Sequence, residues 1–331
     1  MRRREFIAGL GGVAGWSIAA RPEERERIRR VGVLMNFTAT DTEYQSWLAL
    51  FVQGLRQFGW TEGQNLRLDV RWSASNIQLA RTYAAELIEL KPDVILACTT
   101  LNLTVMQQTT RSVPVVFLQV ADPVKQGFVT NFRHPGGNLT GFSLFEFSLG
   151  SKWLDLLKNV VPDLARVAVM FDPETGPQNK FFIPAIEAVA PSLGVQVIIT
   201  PVRTVADIES ALASFAAQPS GGLILLPDLF LHMHASLIAD LAIHHRLPSM
   251  GSTLNFAKVG GLIAYGNTES AANQYRQAAA YVDRILKGSK PGDLPVQIAD
   301  QYTFAVNLKT AKALGLTVPP PLLVGADEVI D

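Results

Sequence analysis

Along the chain, short apolar runs alternate with longer stretches in which large apolar side chains recur every three to four residues. Residues 31–35 are apolar with charge before and polar residues after, the pattern of a buried strand. Over 43–58, Trp47, Phe51, Leu55 and Phe58 recur at helical spacing, and Gly59 follows as a stop. Residues 66–72 alternate apolar and polar positions and predict an edge strand, while 80–90 predicts a helix ended before Pro92. Residues 94–98 and 115–118 read as buried strands around a Thr-rich helix, and 139–142 closes the set.

A second set repeats the rhythm. Strands are predicted at 166–171, 195–199, 223–226 and 247–250, with helices near 181–193, 205–217 and 233–245. Strands alternating with helical segments of about ten to fifteen residues predict parallel sheets covered by helices on both faces. The expected fold class is α/β, with two doubly wound parallel-sheet lobes. In the remaining third, 262–265 predicts a strand ending in Tyr-Gly-Asn, and 271–287 a long helix with Tyr275, Ala279, Val282 and Leu286 on one stripe. Residues 303–306 predict a strand, and 308–314 a last helix stopped by Gly315. This tail is too short for a third domain. Its segments must join the two sheets, so the chain must cross between lobes more than once.

Composition agrees with that picture and narrows the chemistry. The 331 residues are about twice a typical domain of ~150, and 48% are hydrophobic, as in a globular protein. Lys and Arg number 29 against 29 Asp and Glu, which argues against a broad basic footprint, so no nucleic-acid partner is expected. Cys98, the single cysteine, excludes an intramolecular disulfide and a multi-thiolate metal site.

Residues 1–19 are expected to lie outside the fold. Arg2, Arg3 and Arg4 precede an uncharged run from Phe6 to Ala20 that is too short to span a bilayer comfortably. Basic flank, short apolar core and small residues at the end match an export signal, and Arg3-Arg4-x-Phe6-Ile7 looks like a twin-arginine one. Gly9-x-Gly11-x-x-Ala14 fits a dinucleotide fingerprint as a string, but no buried strand precedes it. Cleavage after Ala19 removes three arginines and Glu5 and takes the net charge from zero to −2. With no cysteine there to carry a lipid, the mature protein is expected free in the periplasm.

In open parallel sheets, ligands bind beyond the carboxyl ends of the strands, where following helices present unpaired N–H groups. Those positions hold Asn36 and Phe37 after the first strand, Thr99 and Thr100 after the third, and Asp122 after the fourth. Asp172 opens the second lobe there, followed by Asp228 and then by Tyr265 and Asn267. Thr99 and Thr100 suit a carboxylate, the three aspartates an ammonium, and Phe37, Phe145 and Tyr265 an apolar or aromatic body. Each has a structural alternative. Asp122 and Asp172 precede proline and read equally well as helix caps, as Asp228 does without one. Thr99 and Thr100 can cap the next helix, and Tyr265 can be core at a hinge.

Residues 113–117 (Val-Pro-Val-Val-Phe), 121–129 (Ala-Asp-Pro-Val-Lys-Gln-Gly-Phe-Val) and 134–143 (His-Pro-Gly-Gly-Asn-Leu-Thr-Gly-Phe-Ser) carry a family likeness. The chain resembles the substrate-binding proteins of bacterial ABC transporters, in the branch that includes tryptophan and tyrosine binders. Residues 260–266 (Gly-Gly-Leu-Ile-Ala-Tyr-Gly), 281–288 (Tyr-Val-Asp-Arg-Ile-Leu-Lys-Gly), 294–296 and 307–316 extend the likeness over nearly the whole chain. The resemblance implies a type I periplasmic-binding fold whose lobes are joined by three crossing strands. It implies a monomer that closes over a small solute and presents it to an ABC permease in the inner membrane, without cofactor or catalysis. Residues 30–143 with 267–298 would form one lobe, and 144–266 with 299–331 the other. By position it brings Thr99, Thr100, Asp122, the loop from Asp172 to Asn179, Asp228, Tyr265 and Asn267 to the cleft. The chain departs from the pattern in its charged residues 21–25 and in the bulky apolar segment from Pro227 to His234.

Enzyme readings find little support. Neither Gly-x-Ser-x-Gly nor a phosphate loop is present. His232-x-His234 and His244-His245 have the wrong spacing to share a helix face, and Cys98 at the end of an apolar strand reads as an inert core thiol. Solute capture is the favoured function; a ligand sensor docking on a receptor kinase and an exported α/β enzyme are the alternatives. Asp228→Ala and Thr99→Ala are expected to weaken binding with little loss of fold.

Overall fold

The structure, a computed structural model, describes residues 27–267, 270–298 and 302–331; the expected export signal at 1–19 lies outside the described residues. The chain opens with β1 (Arg29–Met35), α1 (Thr42–Gln57), β2 (Leu66–Trp72), α2 (Ile77–Glu89), β3 (Val94–Cys98), α3 (Thr99–Thr109), β4 (Val115–Ala121) and β5 (Leu139–Phe145). There follow α4 (Leu149–Val160), β6 (Arg166–Phe171), α5 (Ile183–Val189), β7 (Gln196–Pro201), α6 (Val205–Ala216), β8 (Gly221–Leu225), α7 (Leu229–Met233) and α8 (Ala235–His244). Next come β9 (Ser249–Gly251), α9 (Leu254–Lys258), β10 (Ile263–Gly266), α10 (Ser270–Leu286) and β11 (Gln297–Ile298). The last elements are β12 (Thr303–Asn307), α11 (Leu308–Ala313), α12 (Pro320–Val324) and β13 (Glu328–Ile330).

These strands form two sheets, ordered β11-β5-β4-β3-β1-β2 (sheet A) and β13-β12-β10-β9-β8-β6-β7 (sheet B). The first five strands of each sheet follow the same spatial order: second, first, third, fourth, fifth. The molecule is thus one plan built twice. The pairings are parallel except that of β10 with β12, whose chain returns from the other lobe. Each sheet is buried on both faces by apolar clusters, as the continuous apolar strands demand. The chain passes from sheet A to sheet B after β5, returns into α10 after β10, and leaves again after β11. The last two passages include 268–269 and 299–301, outside the described residues.

The helices begin where the sequence supplies caps. Asp41 accepts the Glu43 and Tyr44 N–H groups to start α1, Asn76 does the same for α2, and Thr204 with Asp207 forms a capping box on α6. α10 is encoded after the second lobe but packs on α1 in the first. Gly54 lets the two helices close up, since a Cβ there would lie 2.7 Å from that of Ala279. Tyr275, Ala279, Val282 and Leu286 are all buried in this contact.

The helical segments differ from expectation in two details. The helix expected over 233–245 is α8, and a short unexpected helix, α7, precedes it and is divided from it at His234, whose Nδ1 lies 2.8 Å from the Phe230 carbonyl oxygen. The helix over 181–193 contracts to α5, ahead of Pro191. Among the described residues, no helix is long and apolar enough to cross a membrane.

Candidate functional site

One cavity of about 420 Å³ opens between the carboxyl ends of the two sheets. In each sheet the strand order reverses beside the first strand, between β1 and β3 and between β6 and β8. Parallel sheets bind ligands in the crevice left at such a point.

Sheet A contributes an aromatic wall. Asn36 follows β1 and is fixed by donating to Ser75 Oγ at 3.1 Å. Phe37 stacks on Tyr44 with 9° between the rings, and Tyr44 meets Trp47 edge-on at 4.5 Å. Trp47 in turn leans on buried Tyr275, 5.7 Å away. Burial, with Glu43 and Asp41 nearby, holds the Tyr44 phenol well above the usual range, so this wall stays uncharged.

Beside it the backbone is strained. α3 starts directly from β3 with Cys98 as N-cap and no side-chain cap. Thr99 has φ +74°, and its buried Oγ1 has no hydrogen-bond partner in the protein. Thr100 Oγ1 accepts the Ala121 N–H at 3.3 Å, tying α3 to the end of β4. A bulge between Phe117 and Ala121 places Gln119 at φ +56°. The bulge needs Gly141 on β5, where a Cβ would sit 2.1 Å from the Phe117 carbonyl oxygen. Phe145 closes this side, its carbonyl accepting the Asp122 N–H at 2.8 Å.

Sheet B supplies an aliphatic wall on unstrained loops. Leu225, Leu226 and Pro227 lead to Asp228, the N-cap of α7, and Leu229 on that helix packs against the sheet A cluster holding Phe37 and Tyr44. Asp228 Oδ1 accepts the Leu231 N–H at 2.7 Å, while Oδ2 accepts from Asp172 N at 3.0 Å and Asn179 Nδ2 at 3.3 Å. Burial outweighs these donors and pushes the carboxyl up to about 7. The segment from Gly251 to Asn255 forms the floor. Gly266 presses against it so closely that a Cβ would lie 1.7 Å from the Ser252 carbonyl oxygen.

Of the side chains expected in the site, Asn36, Phe37, Thr99, Thr100, Phe145, Asp228 and Asn267 line the cavity. Asp122, Asp172, Asn179 and Tyr265 fall outside the lining. Asp122 accepts the Lys125 N–H at 3.1 Å and meets Lys125 Nζ at 3.5 Å. Asp172 accepts from Glu174 N and Thr175 Oγ1, and Asn179 braces Asp228. Tyr265 stacks on Tyr302 at 5.7 Å, and its carbonyl accepts from the indole of Trp153 at 2.7 Å. The structure also adjusts the expectation for Asp228, which ties a helix start to two loops and so carries stability as well. The expected loop from Asp172 to Asn179 reaches the cavity through Thr175 and Gln178, while Tyr44, Trp47 and Gln119 join the site without having been singled out from sequence. For Tyr44 and Trp47 the signal was present, since both lie in the first turns of the helix after β1. Nothing in the sequence marks the bulge that turns Gln119 inward.

Cys98 is buried in the sheet A core, and burial pushes its thiol up to about 12. Among the described residues, no three His, Cys, Asp or Glu side chains gather as metal ligands do.

Two parallel-sheet lobes of one topology, with a cavity between their carboxyl ends, define a two-lobed binding protein. Residues 36–330 match the family described as ABC transporter substrate binding protein, and the chain belongs to that family. It is 22% identical over 267 residues to the tyrosine-binding protein of Clostridioides difficile strain R20291, covering 80% of this chain and 75% of that one. A conserved domain protein from Vibrio cholerae superposes with a TM-score of 0.79 at 24% identity, over 92% of this chain and all of the other. A Streptococcus pneumoniae ABC domain solved in complex with L-Trp gives 0.74 at 21% identity, over 91% and 99% of the two chains. These likenesses show the same fold.

Proposed function

We propose that the protein is the extracytoplasmic solute-capturing component of an ABC importer, closing two lobes over an amino acid or a related aromatic or carboxylate compound. The observation that carries this reading is a cavity lined from both sheets, aromatic on one wall and largely aliphatic on the other. A solute that touches both walls stabilises the closed arrangement by its differential affinity for it. Leu229 reaching across to the sheet A cluster is the kind of contact such closure makes. In this reading, 30–143 with 267–298 move against 144–266 with 299–331. The segment 1–19 directs export, the working form is a periplasmic monomer, and its macromolecular partner is an inner-membrane permease.

The tyrosine-binding relative and the L-Trp complex support an aromatic amino acid as the solute. The Phe37–Tyr44–Trp47 wall suits such a ring, each aromatic contact adding about 0.5–1.5 kcal/mol beyond its buried area. Mass spectrometry of compounds released on denaturing the natively purified protein tests this: a small aromatic or carboxylate compound in near-stoichiometric amount is the expected result. A preparation that releases nothing, and whose melting temperature no amino acid raises, contradicts it.

A further inference from the structure

We infer that Gln119 and Gln178 are the specificity-determining residues that read an amino group on the solute, one from each lobe. This rests on the capture reading above and goes beyond it, because it assigns the polar end of the solute to particular atoms.

An ammonium in a closed cleft needs acceptors. The carboxylates among the described lining residues are those of Glu43 and Asp228. Glu43 is exposed in the first turn of α1, and both oxygens of Asp228 are already taken by Leu231, Asp172 and Asn179. Beside the Thr99 hydroxyl, which can donate as well as accept, two carboxamide oxygens, which can only accept, are left open. Gln178 donates its Nε2 to the Pro227 carbonyl oxygen at 3.3 Å, which fixes its amide so that Oε1 is the free end. That Oε1 is fully buried and has no partner in the protein, and the same holds for Gln119 Oε1. Both residues line the cavity between the sheets. A buried carbonyl left unpaired costs about 1–3 kcal/mol, so a solute supplying N–H donors recovers that as binding energy.

The placement of Gln119 is a built feature. Its left-handed backbone at φ +56° and the bulge around it are strained for a non-glycine residue. Buried Gln274 on α10 holds it there, accepting the Gln119 N–H at 3.0 Å while donating to the Ser143 carbonyl oxygen at 3.2 Å. Strain maintained by a dedicated brace, at a side chain whose acceptor faces no protein donor, marks a residue positioned for a ligand.

Calorimetry and thermal shift on the full chain test this with two matched pairs of probes: L-tyrosine with des-amino-tyrosine, and L-tryptophan with indolepropionate. The expected result is that removing the amine lowers affinity at least about tenfold. Gln119→Met and Gln178→Met should lower affinity for the amino acid by a similar factor, leave the des-amino compound within about twofold, and so erase the discrimination. Gln119→Glu is the control for a misplaced loop, because an added carboxylate preserves or raises amine affinity and weakens the des-amino acid. Binding des-amino acids as well as the amino acids, or equal losses for both probe types in the variants, overturns the assignment and leaves solute capture standing. If none of the four probes binds, the aromatic amino acid reading fails, and the assignment falls with it.

Discussion

The two walls of the cleft come from sheets of identical strand order, yet they hold their residues by opposite means. Around the carboxyl edge of sheet A, five non-glycine residues have positive φ: Ala74, Ser75, Thr99, Gln119 and Asp122. Among the described residues, the equivalent edge of sheet B has none; its positive-φ residues Ser220 and Arg246 precede β8 and β9 at the far end. Each left-handed residue costs on the order of 1–2 kcal/mol, so sheet A maintains a strained edge. Sheet B instead holds its carboxylates by hydrogen bonds, with Asp172 and Asp228 both spent on backbone and side-chain donors. Shared topology therefore does not imply shared chemistry. The strained wall presents acceptors and hydroxyls, and the other wall presents mainly apolar surface with Gln178 Oε1 as an open acceptor.

The comparison can be broken in four places. Trp153→Ala removes a fully buried indole that anchors the end of β10 through Tyr265. It should cost roughly 3–5 kcal/mol in chemical denaturation, and a loss under 1 kcal/mol would show that this anchor does not hold the sheet B wall. Gly266→Ala forces a methyl into the Ser252 backbone and should cost about 3 kcal/mol. An unchanged melting temperature would mean the floor of the cleft is not packed as described.

Asp228→Ala is expected to lose about 1–3 kcal/mol through its orphaned N–H donors. It also sharpens the comparison through pH. Burial raises the Asp228 carboxyl to about 7 in the fold, against about 3.9 in the unfolded chain. Between those values the folded state holds the extra proton, so this group's stabilisation is complete below about pH 4 and is lost as pH rises through 7. Denaturation curves at pH 5 and pH 8 should differ more for the wild type than for the variant. Equal differences would show that the carboxyl titrates normally.

The smallest effect is expected at Thr99. Thr99→Gly relieves a φ of +74° and should raise stability by about 0.5–1 kcal/mol while weakening solute binding, because the hydroxyl at the start of α3 is gone. A destabilised variant with unchanged affinity would reverse the assignment of strain to this edge.

The fold was legible because it is written in periodicity. Continuous apolar runs at 94–98 and 223–226, set between helical segments, suit strands buried on both faces of a parallel sheet, and the strands Val94–Cys98 and Gly221–Leu225 lie there. The stripe of Tyr275, Ala279, Val282 and Leu286 likewise announced α10. The candidate site was legible to the level of strand ends, where Asn36, Phe37, Thr99 and Asp228 line the cavity as expected. It was not legible where conformation rather than residue type decides. Asp122 and Asp172 are the same carboxylate as Asp228, and only the turns they close show that their oxygens face inward to their own backbone. Gln119 sits in an otherwise ordinary strand, and the bulge that presents it depends on Gly141 and Gln274, 22 and 155 residues away in sequence.

Solution X-ray scattering addresses the main idea at its root. Protein stripped of bound compound by unfolding and refolding is compared with the same sample after the released compound is returned. A smaller radius of gyration on return, saturating at one equivalent, is the predicted result; superimposable curves at saturating compound would contradict capture by closure of two lobes.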